Sequence, residues 1–442
     1  MATETGAFDA HQPPSADLLA DCVHCGFCLP ACPTYALWQR ETDSPRGRIH
    51  LMKVALEDKA DITTDFARHF DTCLGCMACV TACPSGVQYD KLVEATRPQL
   101  ERRIERTTGD RLFRKFIFSI FPYPTRLRWV ALKLWAYQKT GAQWLVRATG
   151  LVELLPARLR AMESMAPSIR LSDAFSSMPE VVPAVTPKRR RVAMLLGCVQ
   201  RVFFSNVNWA TARVLAAEGC EVVIPQGQGC CGALMFHTGL ENEAIAMARQ
   251  FIDAFETELS TVDTIVINAA GCGSTLKEYG YLLRNDPDYA TRAKALADKC
   301  RDVSEVLSGL EPQATRHPLP LRIAYHDACH LQHAQQISAE PRKLLASIPE
   351  LEVCEIPESE LCCGSAGIYN LVEPESAREL GTRKAQRIAT TGANVLVSSN
   401  PGCLLQMKAS LEQEGRTVHT MHLVELLDAS IQNTSLDPSA TN

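Results

Sequence analysis

Cys22-Val-His-Cys25-Gly-Phe-Cys28-Leu-Pro-Ala-Cys32-Pro33 returns later in the chain as Cys73-Leu-Gly-Cys76-Met-Ala-Cys79-Val-Thr-Ala-Cys83-Pro84. Two copies of C-x2-C-x2-C-x3-C-P form the pattern that builds paired iron–sulfur clusters. Three thiolates spaced by two residues wrap one cubane, whereas the fourth, set off by three residues and turned by proline, points to the other cluster. The expected ligand sets are therefore crossed. Cys22, Cys25, Cys28 and Cys83 should hold one [4Fe-4S] cluster, and Cys73, Cys76, Cys79 and Cys32 the second. Structural zinc modules use four ligands in two pairs, which does not match eight cysteines in two proline-terminated quartets.

Working outward, residues 1–100 read as a small α-helical ferredoxin-like domain, with a helical stretch around Ile49 to Leu56 between the two runs. Asp43-Ser-Pro-Arg-Gly-Arg48 reads as a turn by its proline and glycine. Arg46 and Arg48 there either tune a cluster, face a partner or sit in a solvated loop. Residues 101–187 differ in kind: Glu101 to Arg160 holds thirteen Lys and Arg against four acidic residues, and Trp129, Trp135 and Trp144 are three of the five tryptophans. Leu112, Phe113, Phe116, Ile117, Ile120 and Phe121 follow a helical stripe, with Arg111, Arg114, Lys115 and Ser119 on the other side. Pro122 and Pro124 break that helix. The segment is expected to cover the cysteine domains as a helical hairpin; the competing reading is contact with an anionic membrane surface or a quinone pocket. Met178 to Pro187 reads as a linker.

The C-terminal half is an internal repeat. Cys198, Cys230-Cys231 and Cys272 recur as Cys329, Cys362-Cys363 and Cys403. Each unit, 188–310 and 318–430, alternates strands with helices, and its cysteines follow predicted strands (Val192 to Gly197 and Thr264 to Asn268; Ile323 to Ala328 and Asn394 to Ser398). Such a pattern implies open parallel sheets whose ligands collect at the carboxyl ends of the strands. The fold class is thus a multidomain α+β chain: a helical ferredoxin-like domain, a helical linker and two repeated α/β lobes. Glycine lets adjacent cysteines present two thiolates to one centre. The metal of each repeat stays open between an ordinary [4Fe-4S] cluster, zinc and no metal. Cys220, Cys300 and Cys354 follow no repeat and read as packing residues. Gly227-Gln-Gly-Cys-Cys-Gly232 matches a dinucleotide fingerprint only formally, because its repeat partner Ser359-Glu-Leu-Cys-Cys-Gly364 lacks the first two glycines. His326, His330 and His333 bracket Cys329 and are expected to orient neighbours or lie at the surface.

The 442 residues carry 45 Lys and Arg against 50 Asp and Glu, a formal net charge of −5. This balance excludes generic nucleic-acid binding, which needs concentrated basic charge. The first twenty residues show no signal-peptide pattern, so the 19 cysteines are expected to serve as metal ligands in a reducing cytoplasm. No uncharged apolar stretch reaches the roughly 18 residues of a membrane span; membrane contact is expected to be peripheral or through a partner. Iron–sulfur clusters pass single electrons and do little bond chemistry. With no flavin or nicotinamide site legible, the electron donor should be a separate flavoprotein subunit, and the acceptor a quinone or another carrier.

Cys22 to Tyr35, Asp43 to Ile49 and Cys73 to Val87, followed by Gly271-Cys-Gly-Ser-Thr-Leu-Lys-Glu-Tyr-Gly280, His326-Asp-Ala-Cys-His-Leu331 and Asn400-Pro-Gly-Cys-Leu-Leu405, closely resemble the glycolate oxidase iron–sulfur subunit family. The Cys-Cys-Gly repeats also resemble heterodisulfide reductase subunits, the third subunit of anaerobic glycerol-3-phosphate dehydrogenase and lactate-utilisation proteins. In the reductase branch each repeat ends in C-x-x-C; here Thr275 and Gln406 replace that fifth thiol, which argues against disulfide-reducing chemistry. The resemblance implies a bacterial complex in which a flavoprotein oxidises glycolate to glyoxylate, with D-lactate as a secondary substrate. This chain would carry the electrons at the inner face of the cytoplasmic membrane. A D-lactate or glycerol-3-phosphate dehydrogenase subunit and a disulfide-reducing thiol enzyme are the alternatives.

Overall fold

Alternating strands and helices dominate the C-terminal half of the computed structural model, which describes residues 6–436. Strands β1 (Val181–Val182), β2 (Arg190–Met194), β3 (Cys220–Val223), β4 (Thr264–Ile267) and β5 (Cys300–Asp302) form one sheet in the order β1-β3-β2-β4-β5. A second sheet, ordered β7-β6-β8-β9, contains β6 (Arg322–His326), β7 (Glu352–Glu355), β8 (Val395–Ser398) and β9 (His419–Met421). Apart from β1, every pairing is parallel. Every residue of β4 and β8 is buried, as expected where helices cover both faces of a parallel sheet. In each lobe the strand order reverses beside the first strand. That reversal opens a crevice at the carboxyl ends of the strands, and Cys198 and Cys272, or Cys329 and Cys403, follow the two strands that flank it.

The lobes are joined through their helices. Ser205–Ala217 of the first packs on Leu423–Gln432 of the second, and Val303–Ser308 packs on Ala339–Ala346. Met194, Val207 and Leu215 thereby share one apolar core with Tyr325, Val397 and Leu426. β1 lies inside the stretch read as a linker, where Val181 and Val182 pair antiparallel with β3. β5 and β9 lie inside the units but after their last cysteines, where the sequence pattern names no strand. Cys220 and Cys300 are fully buried in the cores, while Cys354 on β7 is half-buried.

The N-terminal region is helical. Its helix Pro45–Leu56 begins where the sequence suggested a turn, capped by Ser44, whose side chain accepts from the Gly47 amide, with Pro45 at the first helical position. Proline fits there because its missing N–H has no helical partner at a first turn. Gly47 is required by a close approach: a Cβ would lie 1.8 Å from the Glu41 carbonyl oxygen.

The basic segment forms helices Thr108–Ile120, Pro124–Lys139, Ala142–Ala148 and Ala157–Ser164. It covers the lobes: Ile117 packs with Ile368 and Leu371, and Leu127 and Ala131 pack with Val202. The expected stripe is only partly used, since Leu112 and Phe116 are exposed. Arg114, placed on the polar side by periodicity, instead enters an ion-pair network of Arg106, Asp71, Glu101 and Asp110 that ties this segment to the N-terminal region. Charge pairing across elements decided its facing, which helical periodicity does not encode. Trp129 and Trp144 remain exposed. Among the described residues, no helix is long and apolar enough to cross a membrane.

Candidate metal centres and the cavity between them

Cys22, Cys25, Cys28 and Cys83 line one small cavity, together with Cys79, Pro84 and Tyr89. Left-handed turns at His24 and Gly26 fold the loop around it, and the Arg46 guanidinium pins that loop by donating to the His24 carbonyl at 2.9 Å. Cys25 is exposed, and Cys22, Cys28 and Cys83 are half-buried. Burial pushes the Cys28 thiol up to about 11. Between these cysteines, Val23 and Phe27 are 68% and 67% exposed.

Cys32, Cys73, Cys76 and Cys79 are all buried. Burial opposes ionisation of Cys73, but Arg48, Arg97, the Gly75 amide and the Tyr89 hydroxyl outweigh it and hold the thiol below its ordinary range. The Gly75 N–H and Tyr89 O–H donate to Cys73 Sγ at 3.4 and 3.6 Å. Arg48, itself only 1% exposed, donates to the His69 carbonyl at 2.5 Å and to the hydroxyls of Thr34 and Thr72 at 3.2 and 3.3 Å. Arg97 donates to the Cys73 carbonyl at 2.6 Å. Cys76 and Cys79 are pushed well up by burial and by neighbouring thiols. Buried, crowded thiols compensated by two buried arginines suit an anionic thiolate-bound cluster, so the donor set fits the group.

In each repeat the four cysteines converge. Cys198 and Cys230 lie 3.5 Å apart, and Cys329 and Cys362 lie 3.9 Å apart. Cys231 neighbours Cys272, and Cys363 neighbours Cys403. Gly364 adopts a φ of +91°, and a Cβ there would approach the Ala377 carbonyl oxygen to 2.7 Å; this is why glycine ends the cysteine pair. Thr275 and Gln406 are engaged elsewhere: Thr275 Oγ1 lies 3.1 Å from His237 Nε2, while Gln406 accepts from Asn370 and donates to the Ala377 carbonyl.

The three histidines around Cys329 part company. His330 Nε2–H donates to the Gly75 carbonyl at 3.0 Å, leaving Nδ1 to accept from Ser274 at 2.7 Å. His333 lies 2.7 Å from Thr81 and donates to the Glu360 carbonyl. Both pin the N-terminal cysteine loops to the second lobe. His326 turns inward towards Cys363 and Cys403, a placement that sequence spacing did not reveal because those cysteines are distant along the chain.

Cys76 packs against Cys329 and Cys362. Beside this junction lies a cavity of about 810 Å³, walled by Cys73 and Leu74, by cysteines of both repeats, and by Phe116, Ile120 and Leu134 of the covering helices. His237 and His330 reach its wall. Behind His237 sits buried Glu94, its Oε1 3.4 Å from Nδ1 and its Oε2 without a hydrogen-bond partner among the described residues. Burial, with Asp90 adding to it and Lys91 and Arg97 opposing, raises Glu94 to about 8; burial and Arg97 lower His237 to about 3. The pair is therefore a carboxylic acid beside a neutral imidazole at neutral pH. Because the folded state keeps a proton that the unfolded chain releases near 4.5, the Glu94 contribution to stability should fall as pH rises from about 4.5 towards about 8, by up to about 1.4 kcal/mol per pH unit, whereas His237, which the unfolded chain protonates below 6.5, acts in the opposite sense below that pH. Stability measured from pH 5 to pH 8 (about the span of this titration) should lose ground with rising pH in the unaltered protein relative to Glu94→Gln; parallel pH profiles in both proteins would discount this proton.

Residues 18–87 match the family described as "4Fe-4S dicluster domain", residues 192–277 and 323–408 each match "Cysteine-rich domain", and residues 109–166 match "Glycolate oxidase iron-sulfur subunit, linker region". Two thiol quartets on a helical module, docked onto paired Cys-Cys-Gly lobes, define an iron–sulfur electron-transfer subunit of an oxidoreductase. The chain is 41% identical over 415 residues to "Probable glycolate oxidase iron-sulfur subunit" of Bacillus subtilis (strain 168), covering 92% of this chain and 93% of that one. It is 35% identical over 418 residues to "Glycolate oxidase iron-sulfur subunit" of Escherichia coli (strain K12), covering 94% and 95%. "Lactate utilization protein A" of Oceanobacillus iheyensis (strain DSM 14371) is 31% identical over 239 residues, which are 54% of this chain and 96% of that one. The chain belongs to the glycolate oxidase iron–sulfur subunit family.

Proposed function

We propose that the chain is the electron carrier between a glycolate-oxidising flavoprotein and a quinone acceptor. One observation carries this reading: the two N-terminal thiol sets lie in series, the outer one at a surface and the inner one against the large cavity. Cys22, Cys25, Cys28 and Cys83 would hold one [4Fe-4S] cluster, and Cys73, Cys76, Cys79 and Cys32 the other. When bound, these clusters supply one-electron transfer. Exposed Val23 and Phe27 offer the flavoprotein an apolar contact over the outer set. The covering helices keep water from the inner set, and the apolar cavity wall suits a quinone ring with His237 at its edge. Exposed Trp129 and Trp144 in a basic segment support peripheral contact with the inner face of the cytoplasmic membrane. The cysteines of the repeats are further metal ligands.

The test is isolation of the tagged chain with its partners from its own cell without oxygen, followed by dye and quinone reduction with glycolate, D-lactate and glycerol-3-phosphate. Preferential glycolate oxidation with a co-purifying flavoprotein is the expected result. Turnover of only another substrate would keep the electron-carrier role and discard glycolate.

A further inference from the structure

His326 stands three residues before Cys329, where the first repeat has Leu195 three residues before Cys198, and the strand registers agree, Met194 pairing with Val266 as Tyr325 pairs with Val397; the two otherwise matched cysteine sites thus differ by one potential ligand. A ring nitrogen of His326 and the sulfurs of Cys363 and Cys403 all lie within 4.8 Å of one another, and all three residues are buried. His326 is 1% exposed, and its Nδ1 has no hydrogen-bond partner among the described residues. A buried imidazole nitrogen left without a partner costs free energy that a bound ion would recover. The Asn400 side-chain amide donates to Cys403 Sγ at 3.1 Å, the kind of outer contact that orients a metal-bound thiolate.

The spacing discriminates between metals. A tetrahedral ion with metal–sulfur bonds of about 2.3 Å and metal–nitrogen bonds of about 2.0 Å brings its donors within roughly 4 Å of each other. A cubane instead spreads its ligands over separate irons. The compact trio fits the single ion. Imidazole with two thiolates is the donor set of a thiophilic divalent ion such as zinc.

We propose that the second repeat binds one thiophilic divalent ion, of the zinc class, through His326, Cys363 and Cys403, and that the first repeat, with Leu195 in place of the histidine, does not share this site. Three protein donors leave one tetrahedral position for a further ligand, as in zinc sites that are not closed. The proposal is independent of which substrate the partner oxidises, because its test reads metal and not turnover.

Full-length protein prepared without oxygen is analysed for iron, zinc and sulfide, and its zinc absorption edge is measured. The expected result is one zinc per chain, with about two sulfur neighbours at about 2.3 Å and one nitrogen at about 2.0 Å. In His326→Leu, which installs the residue of the first repeat, zinc retained after a chelator challenge should fall at least tenfold while sulfide and the iron–sulfur EPR signals stay unchanged. Absence of zinc, an all-sulfur zinc shell, or equal retention in the variant would overturn the proposal. The spectrum of the unaltered protein decides the ligand set even where the variant folds poorly.

Discussion

Cys76→Ser is expected to halve the N-terminal iron, leaving about four atoms of the eight that two [4Fe-4S] centres contain. Transfer from substrate to the proposed quinone acceptor should fall by more than about 100-fold, the upper end of what even an outer contact of a metal site is worth. Reduction of the flavin in the proposed partner should be untouched, because it precedes this chain in the proposed path and the cavity of the outer thiol set at Cys22, Cys25, Cys28 and Cys83 is not lined by Cys76. Cys76 is the informative position because it packs on Cys329 and Cys362. Its loss therefore acts where the helical module meets the second lobe. Substrate-reduced EPR spectra and iron analysis check the prediction together. Full quinone reduction in the variant would place the electron path elsewhere.

Arg48→Met should destabilise the helical module by about 3–5 kcal/mol, the order expected for losing several hydrogen bonds from one buried charged donor. The side chain is enclosed, and its guanidinium serves the His69 carbonyl and the hydroxyls of Thr34 and Thr72. Methionine fills much of the volume but withdraws the guanidinium donor from all three, leaving the His69 carbonyl with the Thr72 hydroxyl, and removes a positive charge that lowers Cys73. Lysine should not rescue, since an ammonium cannot span three acceptors with a planar fork. Thermal unfolding under argon, followed by loss of cluster absorbance, measures the effect. A midpoint equal to that of the unaltered protein would assign Arg48 a space-filling role alone.

The cysteine quartets, the repeat and the parallel sheets were legible because each rests on local spacing: thiols two and three residues apart, and apolar strands followed by cysteines. Elements whose identity depends on distant partners were not. Val181 and Val182 are a strand only because β3 offers its edge. Arg48 reads as a loop residue until the helix from Pro45 turns it inward. Arg114 sits on a nominally polar face, yet it is drawn in by Glu101 and Asp110. His326 belongs to a histidine-rich stretch whose other two members bond elsewhere. In each case the deciding neighbour is absent from any short window of sequence.

The exchange of helices between the lobes has a consequence for synthesis. Ser205–Ala217 packs on its own strand β3 and finds much of its remaining cover in Leu423–Gln432, among the last of the described residues to leave the ribosome. Until then the first lobe displays an apolar face, the kind of surface that chaperones hold and proteases inspect. The helical module, complete within its first hundred or so residues, is free to acquire iron during that interval. A ribosome that stops short leaves a chain that still advertises its incompleteness, so clearance of truncated carriers is built into the way the two halves clasp.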